Sequence, residues 1–433
     1  MLKEKGISVG IIGLGTVGTG TVRILLENKE LLRQRLGFPI NLKRIADIDI
    51  KRKRGLGLPK GILTTNVEDI IFDPEIDIVV ELIGGIRFAK DLIVKAIRNK
   101  KHIVTANKAL LALHGNEIFH EAGRAKVEIG YEASVAGGIP IIKVIKEGLI
   151  ANRIISIYGI INGTSNYILT KMTDEGVEFK SALKEAQRLG YAEADPTLDI
   201  QGIDSAHKLA ILASLSYGIP FSFDKVYTEG ITKITPEDIE FGGELGYKIK
   251  LLAIVRCTDK EVELRVHPTM LPKEHLISKI DGVFNAIYVK GDAVGDTLYY
   301  GMGAGSLPTG SAVVSDIAGI AKRIMLGAKT LSPTSKKSEL RIKGISEIES
   351  MYYFRFSVLD RPGVLSRISG VLGDNDISIA SVIQKGRRAG GAVPVIILTH
   401  MAKEKDIIHA VKKIDKLSVV TAKTHYIRVE GGR

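Results

Sequence analysis

The run I-S-V-G-I-I-G-L-G-T-V-G, Ile7 to Gly18, joins a short apolar segment directly to Gly13, Gly15 and Gly18. The next residues, T-G-T-V-R-I-L-L-E-N, carry apolar positions at helical spacing. Strand, glycine turn and helix in that order give the G-x-G-x-x-G spacing its meaning. The first glycine permits the tight turn, and the second lets backbone approach a pyrophosphate. The third allows close helix–strand packing, and the helix N-terminus receives the anion. Gly13, Leu14, Gly15, Thr16, Val17 and Gly18 are therefore candidate contacts to a dinucleotide, and the fold class is α/β with a Rossmann-type domain at the amino end.

Working outward, the strand expected over residues 41–48 ends in A-D-I-D-I-K-R-K-R. An acid here binds the ribose diol of NAD, whereas arginines accept the 2′-phosphate of NADP. Asp47 and Asp49 argue for NAD, Arg52 and Arg54 for NADP. The gap from Gly18 to Asp47 exceeds the usual spacing of about 20 residues, which tilts the balance to NADP with Arg52 as a contact and leaves NAD open. Beyond lie a buried strand, I-D-I-V-V-E-L-I-G-G, a helix over 90–99, and a further strand, K-H-I-V-T-A-N-K-A-L. Ligands of open parallel sheets gather beyond the carboxyl ends of the strands, which places Thr105, Asn107 and Lys108 near nicotinamide or substrate. Lys108 is also read as ordinary solvation at a helix start.

The segment Y-E-A-S-V-A-G-G-I-P, 131–140, is a loop of small residues with one acid, Glu132. Exposed carbonyls plus a carboxylate suit a hard cation, and equally such a loop is simply a turn. At 162–165, N-G-T-S forms a polar turn at a helix start suited to a carboxylate or phosphate. Strands are expected at 248–256, 261–267 and 286–290, giving a mixed sheet. G-M-G-A-G-S-L-P-T-G, 301–310, is a second glycine-rich turn before an apolar helix over 311–325 that returns to the first domain.

Chemistry concentrates in G-Y-A-E-A-D-P-T-L-D-I-Q-G-I-D-S-A-H-K-L-A-I-L-A-S-L, Gly190 to Leu215. Its first half is a polar loop with Glu193, Asp195 and Asp199; its second half is a helix with Asp204 and Lys208 on one face. The row continues through Ile211 and Leu215, so the pair sits at the head of an apolar stripe. Desolvation lowers a lysine's pKa while a neighbouring carboxylate raises it, and a lysine so poised can donate a proton to an alkoxide. The same spacing describes a surface ion pair of about 0.3–0.5 kcal/mol.

Composition bounds the rest. At 433 residues the chain should divide into several domains. Hydrophobic content of 45% with 25% charged residues is that of a soluble globular protein, and no apolar run reaches the roughly 20 residues of a membrane helix. A strand expected within six residues of the start leaves no room for a signal or transit peptide. Cys257 is the only cysteine, so no intramolecular disulfide forms; a cytoplasmic setting and a buried, hydrophobe-like Cys257 are expected. The net charge of +12 asks for an anionic partner. The run Lys51-Arg52-Lys53-Arg54 has no interleaved aromatics, and the chain lacks Trp and zinc-finger spacing, so a phosphorylated cofactor is favoured over nucleic acid.

The tail after the linker L-S-P-T-S-K-K-S reads strand, helix, strand, strand, helix, strand over 352–429, a ferredoxin-like order. The turn L-D-R-P-G-V-L, 359–365, offers amides and Asp360 to a small zwitterion.

G-L-G-T-V-G, T-A-N-K-A-L, E-A-S-V-A-G-G-I-P, G-I-I-N-G-T-S-N-Y-I-L and above all G-Y-A-E-A-D-P-T-L-D-I-Q-G-I-D-S-A-H-K-L together resemble homoserine dehydrogenase over nearly the whole chain. The tail is similar to an ACT domain, a module that binds amino acids. The resemblance implies reversible NAD(P)H-dependent reduction of L-aspartate 4-semialdehyde to L-homoserine, on the route to threonine and methionine. It implies Lys208 as proton donor, Asp204 and Asp199 orienting it and the substrate hydroxyl, Glu193 on the substrate amino group, and Lys108 beside substrate and nicotinamide. Glu132 with main-chain oxygens of Val135, Gly137 and Ile139 looks like the family's sodium site, and Gly190 and Gly303 would line the cofactor. It implies a homodimer or homotetramer, an amino-acid effector (threonine by expectation) on the tail, and neither membrane nor nucleic acid. The expected domains are 1–134 plus 305–330 for the dinucleotide, an α+β catalytic and dimerisation domain with a mixed sheet over 135–304, a linker over 331–349, and the ACT-like module over 350–433.

Two other classes compete. A different NAD(P)-dependent amino-acid dehydrogenase would share the glycine turn but not the Glu193–Lys208 constellation. A non-catalytic amino-acid sensor would need no proton donor.

Overall fold

Six parallel strands organise the amino-terminal part of the computed structural model: β1 (Ile7–Ile12), β2 (Ile40–Ala46), β3 (Leu63–Thr64), β4 (Ile78–Glu81), β5 (His102–Thr105) and β6 (Ile129–Gly130), in spatial order β3-β2-β1-β4-β5-β6. The order reverses between β1 and β4, the place where such sheets bind dinucleotides. The structure describes residues 6–328, 338–384 and 391–431. They divide into two units, Met1–Ile157 with Asp204–Val226 and Phe284–Leu340, and Tyr158–Ile203 with Tyr227–Val283 and Arg341–Arg433.

In the first unit the apolar strand runs are buried on both faces, as helix-covered parallel strands must be. Val9, Ile11, Val80 and Val104 are fully buried, with Val22 of helix Thr16–Glu27 and Val313 and Ile317 of helix Ser306–Met325 in the same core. The last helix does return to the sheet, and it begins five residues before the expected 311. A Cβ on Gly20 would collide with the Ser306 carbonyl and one on Gly310 would lie 2.8 Å from the Gly20 carbonyl carbon, so the two helices cross at backbone contact. A hairpin of Phe284–Gly291 and Gly295–Met302 precedes that helix. Its second strand was not expected, and the glycine turn therefore starts at its end.

In the second unit, strands Tyr247–Cys257 and Glu261–Pro272 pair antiparallel without a break. Both run longer than the expected 248–256 and 261–267. Cys257 closes the first of them half-buried, so it is less enclosed than expected. The tail has the expected βαββαβ order: Glu349–Leu359, Val364–Gly373, Ile379–Gln384, Ala392–Thr399, Glu404–Ile414 and His425–Val429, with a two-residue strand, Ala402–Lys403, before the second helix. Its core includes the fully buried Tyr352, Phe354, Phe356, Ile368 and Ile407. The final strand is shorter than the expected 418–429 and pairs on both sides, antiparallel to Glu349–Leu359 and parallel to the end of Glu261–Pro272. Most of the linker stretch L-S-P-T-S-K-K-S lies outside the described residues. The segment after it is structured: Arg341–Ile342 pairs with Glu261–Val262.

Charges are buried where the tail's last strand meets the long hairpin. Arg428 donates to Glu404 (2.8 Å) and Glu229 (2.9 Å), and Arg265 donates to Glu430 (2.7 Å) and contacts His267 Nε2 (3.1 Å). Burial, together with Arg428 and Arg265, holds the His267 pKa well below its ordinary value.

A histidine whose folded pKa is depressed prefers the fold while neutral. Its contribution is complete above about pH 6.5, the unfolded value, and declines as pH falls toward the folded pKa, by up to about 1.4 kcal/mol per pH unit. Denaturation midpoints measured from pH 7.5 to 5 should fall for the native chain and fall less steeply for His267→Gln. Equal slopes would show that another group sets the dependence.

Candidate active site

The glycine turn is held from outside by side chains. Gly13 has φ +101° and its Cβ position faces the Leu82 carbonyl at 2.6 Å; a Cβ on Gly18 would collide with the Gly13 carbonyl. Gly15 has nothing within 4 Å of its Cβ position, so protein packing does not ask for glycine there and the space stands open at the head of helix Thr16–Glu27. That is the shape a pyrophosphate requires. Thr16 and Val17 begin that helix, and Thr16 O accepts the Ser306 hydroxyl at 2.8 Å.

Asp47 is engaged by donors of the protein itself. Its Oδ2 accepts the Leu14 amide at 2.6 Å, and its Oδ1 accepts the Asp49 amide at 2.8 Å and Arg54 Nη2 at 2.9 Å. Arg54 Nε also donates to the Leu14 carbonyl at 2.7 Å. Burial pushes the Asp47 pKa up, but the two amides and the guanidinium outweigh it and hold the carboxyl below its ordinary value. Of the residues weighed for the ribose end, Asp47 and Arg54 thus clasp the glycine turn, while Arg52 is exposed.

At the carboxyl ends of β4 and β5, Glu81 and Thr105 lie side by side in register. Asn107 caps helix Lys108–Ala125 by accepting the Leu110 amide at 3.1 Å. Lys108, on the first turn, sends Nζ to Asp204 Oδ1 at 2.8 Å, and Lys208 Nζ lies 2.7 Å from Asp204 Oδ2. The expected i, i+4 pair is therefore a three-membered cluster, with Asp204 and Lys208 buried. Burial works against charge on Asp204, yet the ammonium groups of Lys208 and Lys108 hold its carboxyl far below the carboxylate range. Burial holds the neighbouring His207 below its ordinary pKa, and its ring packs 4.4 Å from Phe223. Ile211 is core as expected, whereas Leu215 is only half-buried.

Two helices meet there because their flanks interlock. Asn116 and Phe221 exchange hydrogen bonds of 3.1 and 3.0 Å. A Cβ on Gly115 would lie 2.7 Å from the Phe221 ring, so that ring packs directly on the helix backbone.

The Glu132 loop is tightly built. Glu132 is buried; its carboxylate accepts the amides of Ile142 (2.8 Å) and Lys143 (2.9 Å), and its own amide donates to Asp316 at 2.7 Å. Burial pushes the Glu132 carboxyl up to about 7 and also raises that of Asp316. Ala136 and Gly137 both take left-handed φ, +54° and +53°, and the Gly137 Cβ position faces the Gly303 carbonyl at 2.5 Å. Val135 and Ile139 are buried in the same turn. Among the described residues no three His, Cys, Asp or Glu side chains gather as a metal site. Any cation here would take main-chain oxygens beside the Glu132 carboxylate. Asp316 was missed in the sequence; an aspartate inside the apolar run A-V-V-S-D-I-A-G-I-A was the available signal.

In the second unit, Asn162 caps helix Gly163–Glu175 and donates to Asp199 Oδ1 at 2.6 Å; Ser165 donates to the Asp199 carbonyl at 2.9 Å, and Thr164 to the Tyr191 carbonyl at 2.6 Å. The polar turn read as suited to a carboxylate or phosphate donates to the Asp199 carboxylate through Asn162 and holds the loop that carries Glu193 and Asp199. Glu193 is exposed in that loop, Asp199 is half-buried, and Gly190 adopts φ +77° beside open space. In the tail, a cavity of about 320 Å³ is lined by Leu359, Asp360, Arg361, Gly363, Val364 and Gln384, among others, which is where the zwitterion turn was expected.

A glycine turn at the sheet's switch point and a lysine–carboxylate cluster at the strand ends define a dinucleotide-dependent oxidoreductase. The family model described as the homoserine dehydrogenase NAD binding domain matches residues 13–132, that described as homoserine dehydrogenase matches 140–318, and an ACT domain matches 352–419. The homoserine dehydrogenase of Pseudomonas aeruginosa is 48% identical over 432 residues, 98% of this chain and 99% of that one. A solved homoserine dehydrogenase from Thiobacillus denitrificans superposes with a TM-score of 0.94 at 50% identity over 98% of both chains. A hyperthermophilic archaeal one, solved in complex with NADPH, covers 75% of this chain and 98% of its own, with a TM-score of 0.62 at 25% identity. The chain belongs to the homoserine dehydrogenase family, oxidoreductases acting on CH–OH, and carries its NAD-binding and ACT domains.

Asp204→Asn would leave the buried Lys208 ammonium without its carboxylate. Breaking a buried pair on one side costs about 3–5 kcal/mol, so the denaturation midpoint of the first unit should drop measurably. A midpoint unchanged from the native chain would mean that solvent already screens the cluster.

Proposed function

We propose that the chain interconverts L-aspartate 4-semialdehyde and L-homoserine with a nicotinamide cofactor, NADP in preference to NAD, in threonine and methionine biosynthesis. The observation that carries this reading is the buried Asp204 bridging Lys208 and Lys108 at 2.7 and 2.8 Å beside the strand ends. The cofactor supplies the hydride that reduces the aldehyde carbon. Lys208 donates a proton to the oxygen that becomes the alkoxide and takes it back in the reverse direction. Asp204 keeps the lysine oriented, Lys108 adds positive charge beside the developing oxyanion, and Asp199 orients the hydroxyl group. Glu193 takes the substrate ammonium. Thr105 lies at the nicotinamide end, and Gly190 and Gly303 line the cofactor.

The ribose end supports the preference for NADP. Asp47 is committed to Leu14, Asp49 and Arg54, while Arg52 presents an exposed guanidinium suited to a 2′-phosphate. A sodium ion fits the Glu132 turn, held by Glu132 and the main-chain oxygens of Val135, Gly137 and Ile139, because two buried acids and left-handed backbone concentrate oxygen there. An amino-acid effector, threonine by expectation, fits the Asp360 cavity. We assign 1–134 and 305–330 to cofactor binding, 135–304 to catalysis and dimerisation, and 350–433 to regulation. The active species is a homodimer or homotetramer in the cytoplasm, where the lone Cys257 stays reduced. Among the described residues no helix is long and apolar enough to cross a membrane.

Loss of NADPH absorbance with L-aspartate 4-semialdehyde tests the reading directly. Lys208→Ala should lose about 10²- to 10⁴-fold in turnover with NADPH affinity little changed. Full turnover in the variant would remove Lys208 from the proton transfer. No turnover in the intact protein with either cofactor would overturn the substrate.

A further inference from the structure

Glu81 closes β4 with no exposed surface. A carboxylate buried that deeply needs donors. Its Oε1 accepts the amides of Ile83 at 3.0 Å and Gly84 at 3.1 Å, and its Oε2 accepts the Thr105 hydroxyl at 2.6 Å. Burial still raises the Glu81 pKa, against these donors.

Two arms run from this carboxylate to one residue. Thr105 gives its single hydroxyl proton to Glu81, so its oxygen is left as an acceptor and takes the Asn107 amide at 3.0 Å. On the other arm, the amides of Ile83 and Gly84 fix a turn in which Gly84 and Gly85 have φ +73° and +72°. The Gly85 carbonyl then accepts Asn107 Nδ2 at 2.7 Å. Asn107 Oδ1 is the cap of the helix, and the next residue is Lys108. A carboxylate needed only to fill space would not require both arms to end on the helix cap.

We propose that Glu81 is a positioning residue for the reaction: by anchoring Asn107 from two sides it fixes the first helical turn, and with it the Lys108 ammonium, against Asp204 and Lys208. The proposal rests on the roles given to Lys108 and Lys208 above. Glu81 touches no reacting atom in this scheme and acts through the cap.

Glu81→Gln is the first test. Its carbonyl can keep both loop amides, but the amide nitrogen faces the Thr105 oxygen as a donor, so the hydroxyl proton loses its acceptor. Turnover should fall about ten- to a hundredfold, because misplacement near 1 Å has that consequence. The KM values for NADPH and semialdehyde should stay within about twofold, as expected when only transition-state interactions are lost. Asn107→Ala leaves the two loop amides and the Thr105 hydroxyl on Glu81 and keeps the backbone amide that meets Thr105, but it cuts the Gly85 arm and removes the cap acceptor for the Leu110 amide, and it should reproduce the kcat-selective loss even if Glu81→Gln fails to fold. Adding Thr105→Val to Glu81→Gln should cause little further loss of kcat at saturating NADPH, where weakened cofactor binding is not read, since both changes cut one arm.

Native kcat in folded Glu81→Gln, or in Asn107→Ala, overturns the proposal. So does a loss that appears only as a lowered melting temperature and vanishes when the assay is run well below it. Losses that multiply in the double variant overturn the route through Thr105. Lys108→Ala separates this proposal from the reading beneath it. Native turnover there would sink both, whereas impaired Lys108→Ala beside native Glu81→Gln sinks the Glu81 proposal alone.

Discussion

One buried carboxylate ties together two helices of the first unit. Asp204 is almost out of solvent, and an isolated charge there would be too costly to keep. It remains ionised because two ammonium groups, from different helices, reach it within 2.8 Å. The requirement works in both directions: Asp204 needs Lys108 and Lys208, and Lys208 needs Asp204. That mutual need ties helix Ile203–Tyr217 to helix Lys108–Ala125, which explains why their flanks are shaped for close approach at Gly115 and Phe221. A lysine held this way is preorganised: its position is set by the carboxylate and not by solvent.

The same economy of charge governs the cofactor end. The Asp47 carboxylate accepts three donors, and each ties the glycine turn or the basic loop to the sheet. Arg54 completes the clasp through the Leu14 carbonyl. A residue that looked like a ligand contact is thereby part of the scaffold, and its neighbour Arg52, which has no such duty in its guanidinium, is left facing solvent. Local sequence cannot separate these two fates, because both call for a charged residue after the second strand.

What the sequence made legible was what depends on short-range pattern. The glycine spacing at 13, 15 and 18, the βαββαβ order of the tail, and the i, i+4 row of Asp204 and Lys208 all arise from local periodicity. Strand Gly295–Met302 escaped because its residues are half-exposed along their length and give no buried alternation. The Asn162 turn was legible as a polar helix start, but not its partner: Asp199 lies 37 residues away and meets it only through the fold. Glu81 and Asp316 escaped for a related reason. Each is an acid in a largely apolar run, and each has a partner from an element distant in sequence, Thr105 for Glu81 and the Glu132 amide for Asp316. Sequence shows that such a group is anomalous; tertiary structure alone shows what satisfies it.

The second unit poses a complementary problem. Where its tail joins the long hairpin, apolar residues would seal the sheet at lower cost than Arg265, Arg428, Glu404 and Glu430, all buried. Buried ion pairs contribute little net stability, but a misaligned one leaves charges unpaired at several kcal/mol. Strand His425–Val429 touches Glu261–Pro272 over a short parallel contact, Thr269 with Arg428 and Met270 with Val429. So short a ladder specifies register weakly by hydrogen bonds alone. Sliding it by one residue would turn Arg428 away from Glu404 and Glu229 and move Glu430 off Arg265. The charges therefore set which register is tolerated, and a strand that belongs to the ACT sheet is fixed in one position on the hairpin it extends.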